Sequence, residues 1–237
     1  MIPVKLTKRK SVLVIAAHPD DEVLGCGATM ARHVARGDSV HVMILAEGIT
    51  GRNMKRSQPR ESNALTALSK CAKNANKILG VTSLVLERYP DNRLDSIDRL
   101  DIIKTIENRI AKIKPRVVYT HHGGDLNIDH RRVHEAVITA CRPLPGYQTK
   151  EILFFEIPSS TEWQIPSHGN AFIPNWFVDV SNTLTLKLRA LNAYAPELRA
   201  FPHPRSLKAV EHLARWRGAN IGVPAAEAFM LGRKLVD

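Results

Sequence analysis

The first strong pattern in the chain is an apolar run, Val12 to Ala17, inside the segment SVLVIAA. Successive side chains of a strand point to opposite faces, so an unbroken β-branched run marks a strand buried on both. The same signal returns at Ser39 to Leu45 (SVHVMIL), at Thr82 to Leu86 and at Arg116 to Thr120 (RVVYT). Between these runs the apolar period lengthens to that of a helix. Residues 26–36 read as a helix closed by Gly37. Leu65, Leu68, Ala72, Ala75 and Leu79 form a second stripe, with Gly80 as its stop. Ile103, Ile106, Ile110 and Ile113 form a third, which ends before Pro115.

Strand and helix therefore alternate through the first half, the order that builds a parallel sheet with helices on both faces. The expected class is α/β, a Rossmann-like and mostly parallel sheet. Ligands in such sheets bind outside the carboxyl ends of the strands. Polar clusters stand at three of those ends: His18 to Glu22, Glu47 to Arg52, and His121 to His130. Tyr89 to Asn92 is a turn-rich loop after the third strand. The last third is less regular. It offers strands at Glu151 to Ile157 and Trp176 to Val180, then helices near 184–193 and 207–217, parted by Pro202 and Pro204. With no repeat and no long linker, residues 1–237 read as one domain with an irregular C-terminal extension.

Composition narrows the class. Hydrophobic residues at 44% and charged residues at 24% exclude a collagenous or mainly disordered chain. The six apolar residues before His18 are too few for the core of a signal peptide, and no segment is long enough to span a bilayer. Cys26, Cys71 and Cys141 are odd in number and widely spaced, which fits free thiols in a reducing compartment. A cytoplasmic location is the expectation. The net charge of +11 raises nucleic acid or an anionic surface as partners. The cations are scattered and aromatics are only 5%, so no nucleic-acid partner is expected; the alternative would bind with strong salt dependence and without metal.

Gly25-Cys26-Gly27 stands where a dinucleotide fingerprint would lie, yet it lacks the third glycine and follows three carboxylates. A pyrophosphate would meet negative charge there, so the nucleotide reading fails. His18-Pro19-Asp20-Asp21-Glu22 supplies a neutral nitrogen ligand, an anionic oxygen ligand and a spare carboxylate. Gly124 to His130 (GDLNIDH) adds another histidine flanked by acids. His18, Asp21 and His130 together make a two-histidine, one-carboxylate set that leaves a coordination position open for water. Asp20 or Asp21 could instead cap the following helix. His134 competes with His130 as its i, i+4 partner, and of His121 and His122, adjacent in a strand, only one can face the site.

The HPDDE box directly after the first strand, paired with the later G-D-L-N-I-D-H segment, resembles the LmbE-like family that includes the PIG-L N-acetylglucosaminyl deacetylases. Tyr89 to Asp95, Arg217 to Ala219 and Glu227 to Phe229 resemble supporting stretches, so the likeness covers most of the chain. It implies a zinc-dependent hydrolysis of an N-acetyl amide on a sugar or glycoconjugate. It implies that His18, Asp21 and His130 hold the zinc, against His134, with Asp20 as general base and Asp129 orienting a histidine. The same ligands would accept iron, cobalt or nickel. Arg52 matches a substrate-contacting arginine, and a homo-oligomer fits the resemblance.

Many members have H-P-D-H where this chain has Asn127-Ile128-Asp129-His130. Asn127 can donate to an oxyanion but cannot act as an acid. A protonated Asp20, His122 or His203 would then supply the proton. The leaving amine stays open between a sugar and a non-sugar amine such as a thiol conjugate or an antibiotic, because fold does not fix substrate.

Overall fold

Strand β1 (Ser11–Ala16) is an inner strand because both of its faces are apolar. Val12, Val14 and Ala16 enter one core cluster and Leu13, Ile15 and Ala17 enter the other, all fully buried. Each such Val, Leu or Ile contributes on the order of 2 kcal/mol, so the loop after β1 starts from a rigid base. The computed structural model describes residues 9–49, 59–146 and 149–236.

After β1 come α1 (Asp21–Ala35), β2 (Ser39–Ala46), α2 (Pro59–Leu79), β3 (Ser83–Tyr89), α3 (Arg99–Ile113) and β4 (Val117–His121). The chain continues through α4 (Ile128–Ala140), β5 (Glu151–Phe155), β6 (Trp176–Asp179), α5 (Leu184–Asn192), α6 (Leu207–Ala219) and β7 (Ala226–Lys234). The sheet order is β3-β2-β1-β4-β5-β7-β6. The first five strands in that order pair in parallel, and β7 runs antiparallel to both its neighbours. Residues of α1, α2 and α5 pack in the cluster on one face, and those of α3 and α4 in the cluster on the other. From β1 the chain builds outward to β2 and β3, then returns to place β4 on β1's other side. That reversal opens a crevice at the carboxyl ends of β1 and β4.

The C-terminal third is more regular than its sequence pattern, since β7 ties β5 to β6. Helix α1 also begins earlier than expected and is broken at Cys26, whose φ of −148° and ψ of 24° are not helical. Gly25 and Gly27 flank the break for packing reasons. A Cβ at Gly25 would collide with the Phe155 ring, and one at Gly27 would lie 2.9 Å from Val23 Cγ1. A break in a helix strands backbone groups, and buried ones must find other partners. The carboxylate of Glu227 on β7 accepts from the N–H of Ala28 (3.1 Å) and Thr29 (2.7 Å). Lys187 on α5 donates to the Leu24 carbonyl at 2.7 Å and pairs with Glu227 at 2.6 Å. A buried ion pair thus completes the kinked helix.

Candidate metal centre and active site

His18 follows β1 directly, and Asp20 and Asp21 start α1. Asp20 is the helix's N-cap residue but makes no side-chain capping bond. The Asp21 carboxylate turns back instead, accepting the His18 N–H at Oδ2 (2.9 Å). The same oxygen lies 3.2 Å from His18 Nδ1 and 3.2 Å from His130 Nε2. These acids are therefore spent on the site and not on the cap.

His18, Asp21 and His130 form one buried group whose ligand atoms lie within 4.8 Å of one another. The outer side of each ring meets a carboxylate. His18 Nε2 bonds Asp129 Oδ2 at 2.9 Å and lies 3.1 Å from Asp91 Oδ1. Because a carboxylate only accepts, the Nε2 proton belongs to that contact, which leaves Nδ1 to offer a lone pair. Asp129 is itself fixed by the backbone N–H groups of Leu94 (2.9 Å) and Asn92 (2.7 Å). Asp125 Oδ1 approaches His130 Nδ1 at 3.1 Å, and Asp125 also accepts from Ser160 Oγ and from Thr161 Oγ1 (2.6 Å). His18, Asp91 and Asp129 also lie close enough to hold a cation, but that group would use the His18 nitrogen that Asp129 occupies.

The donor set fits a divalent cation. Neither ring nitrogen of His130 reaches hydrogen-bond geometry with a partner among the described residues, and neither does Asp21 Oδ1, although all three are buried. Unmatched buried polar atoms are costly. Four buried carboxylates, Asp21, Asp91, Asp125 and Asp129, bear on the two rings, a charge excess that a cation balances. Burial would lower both histidines, but their carboxylate neighbours prevail. Asp21 and Asp125 push His130 up to about 9, and Asp129, Asp21 and Asp91 hold His18 well above its ordinary value.

Asp20 differs from Asp21. Burial drives its carboxyl up to about 8, opposed by Arg205 and reinforced by Asp21, Glu22 and Glu197. Its Oδ2 accepts from Arg205 Nη1 at 3.2 Å, and its Oδ1 has no partner among the described residues. Asn127 caps α4, its Oδ1 accepting the Asp129 N–H at 2.8 Å. Its Nδ2 donates to Asn92 Oδ1 at 3.0 Å.

The remaining expectations divide. His122 points away from the cluster toward the Asn170 carbonyl (2.9 Å) and the Phe172 ring. His121 takes the inward place instead, stacked on His130 at 4.0 Å. Its Nε2 accepts the Ala17 N–H at 2.8 Å, and burial with the neighbouring His130 charge holds it well below its ordinary value. It is a neutral supporting residue with its lone pair already used. His134 bonds the His121 carbonyl at 2.9 Å and packs on Phe154, outside the ligand group. His203 accepts the Arg205 N–H at 3.1 Å and stands edge-on to Trp163. Arg52 lies outside the described residues. Sequence reasoning missed Asp91, Asp125 and Arg205. The first two were signalled only as acids at strand ends.

Residues 13–141 match the family described as PIG-L, GlcNAc-PI de-N-acetylase. Over 194 residues the chain is 34% identical to the uncharacterized deacetylase YaiS of Escherichia coli K12, an alignment covering 79% of this chain and 91% of YaiS. The N,N'-diacetylchitobiose deacetylase of Pyrococcus horikoshii superposes with a TM-score of 0.76 at 21% identity, covering 96% of this chain and 85% of that one. GalB, a 4-carboxy-2-hydroxymuconate hydratase of Pseudomonas putida, superposes at 0.73 and 23% identity, covering 96% and 98%. One is a deacetylase and the other a hydratase, so these structural likenesses speak for the fold alone. The sequence matches carry the assignment: the chain belongs to the PIG-L family of de-N-acetylases, hydrolases of N-acetyl amides.

Proposed function

We propose that the chain is a zinc-dependent hydrolase that removes the N-acetyl group from an amino sugar or glycoconjugate. The observation that carries this reading is the buried group of His18, Asp21 and His130 beside Asp20, whose Oδ1 has no partner among the described residues. The family description, which names an N-acetylglucosamine compound, supports the sugar. His18 through Nδ1, His130 through Nε2 and Asp21 would hold the metal, with Asp129 and Asp125 orienting the two rings from behind. Zinc, when bound, supplies Lewis acidity that polarises the acetyl carbonyl and acidifies water.

Asp20 takes the proton of the attacking water at Oδ1 as the new C–O bond forms. The negative charge that develops on the acetyl oxygen would meet the second Nδ2–H of Asn127, whose other Nδ2–H donates to Asn92 Oδ1 while Oδ1 holds the cap. Asp20 then returns its proton to the amide nitrogen as the C–N bond breaks, releasing acetate and a free amine. Asp20 fits the acid role better than His122 or His203, whose ring contacts lie with Asn170 and Phe172 and with Arg205 and Trp163. Arg52 is proposed as a substrate contact on the resemblance alone.

The test is primary-amine release from a panel of N-acetylated sugars with zinc added, alongside an N-acylated thiol conjugate and an N-acylated antibiotic. Activity on a sugar that vanishes in Asp20→Asn is the expected result. Release confined to the non-sugar compounds would transfer the reading to another amine.

A further inference from the structure

Asp20 adopts an unusual backbone, with φ of 107° and ψ of −29°. A positive φ at a residue other than glycine costs on the order of 1–3 kcal/mol and persists only where its surroundings hold it. Glu22 does so, accepting the Asp20 N–H at Oε2 (3.1 Å). Glu22 is anchored in turn at Oε1 by Tyr194 Oη (2.7 Å) and Asn76 Nδ2 (2.9 Å). The main chain of Asp20 is therefore fixed from behind, and what remains to be set is its carboxylate.

Only Arg205 among the described residues bonds that carboxylate, through Nη1 to Oδ2. The guanidinium is tied at its other edge, where Nε donates to Ser159 Oγ at 2.7 Å, and its backbone N–H is held by His203 Nδ1. A planar fork fixed on two sides defines a direction that a single flexible ammonium would not. Arg205 lies 185 residues from Asp20 and outside the family-matched segment, so the contact belongs to this chain's C-terminal third.

We infer that Arg205 is a positioning residue for the deacetylation: by engaging Oδ2 of Asp20, it leaves Oδ1 as the oxygen that takes the proton from water. The inference rests on the reading of Asp20 as general base. Removal of the guanidinium frees the carboxylate to rotate and to offer either oxygen.

Crystal structures of the metal-loaded wild type and Arg205→Ala test the geometry without any substrate. One Asp20 rotamer in the wild type and several in the variant is the expected result; a single unchanged rotamer in both overturns the inference. Kinetics on the substrate found in the panel test the consequence. Arg205→Ala lowers kcat by about 10²-fold, with KM and metal content little changed, and Arg205→Lys recovers part of the loss. In the Asp20→Asn background, adding Arg205→Ala produces no further loss, because the two act as a unit. Additive losses, or wild-type kcat in Arg205→Ala, overturn it. Wild-type turnover in Asp20→Asn would instead remove the base assignment, while the rotamer comparison still judges Arg205. If Arg205→Ala misfolds, Arg205→Gln is read in its place with the same outcomes.

Discussion

Asn127 holds two separable jobs on one amide. Its Oδ1 caps α4, and its Nδ2, which donates to Asn92 Oδ1, is the donor proposed for the oxyanion. Asn127→Asp keeps the cap and removes the donor, so turnover falls by about 10²-fold with thermal stability nearly unchanged. Asn127→Ala loses both, adding about 1 kcal/mol of destabilisation in chemical unfolding. Equal turnover in Asn127→Asp and wild type would reduce the residue to a cap. His130→Ala should abolish metal retention, measured by elemental analysis after dialysis. Full occupancy in that variant would bring His134 back, against its bond to the His121 carbonyl.

Protons and metal compete for the same nitrogens. Carboxylate neighbours raise both His18 and His130 in the metal-free protein, so the rings hold their protons more tightly and metal binding must displace them. Apparent zinc affinity should therefore rise with pH through about 9, where His130 is half neutral without metal, and level off above it. Calorimetry in buffers of different ionisation enthalpy should register proton release at pH 7; none would contradict this charge balance. The grouping of His18, Asp21 and His130 was legible because its members sit in two short motifs at strand ends. Asp91 and Asp125 were less so, because an acid in a turn has no period to distinguish it. Arg205 carried no local signal at all, since its partner is 185 residues away.

At the scale of elements, the break in α1 governs how the first loop meets the rest of the sheet. Glu227 and Lys187 satisfy the backbone groups that the break strands. Glu227→Ala leaves Lys187 buried without its carboxylate partner and strips partners from Ala28 and Thr29. We expect a loss of 3–5 kcal/mol, the range for removing one member of a buried pair, read from chemical denaturation. A loss below about 1 kcal/mol would place the pair among ordinary surface bridges. The sequence pattern led correctly to β1 through β4 and to the helices between them, because both faces of that sheet are apolar. It missed α4 as an element, since Asp129 and His130 interrupt the stripe of Val133, Ala136, Val137 and Ala140 with buried polar residues. It missed β7 for a related reason: Glu227, which looks like a surface acid, is 4% exposed and serves α1.

Across the whole molecule, the topology explains why residues from both ends of the chain converge. The reversal between β1 and β4 joins His18, Asp20 and Asp21 to His121, Asp125 and His130, and the loop before α6 brings in Arg205. The chain as a whole is basic, with a net charge of +11, while four buried aspartates gather around His18 and His130 in this crevice. No helix among the described residues is long and apolar enough to cross a membrane. The GalB likeness warns that the fold by itself would have left the reaction open; the family match and the arrangement around Asp20 narrow it.

The most direct test of the central claim combines metal content and acetate release in one preparation. Chelation should abolish release, and titration with zinc should restore it in step with one bound ion per chain. Asp20→Asn should bind that ion and release nothing. Acetate release that survives full removal of the metal, or that persists unchanged in Asp20→Asn, would contradict the account.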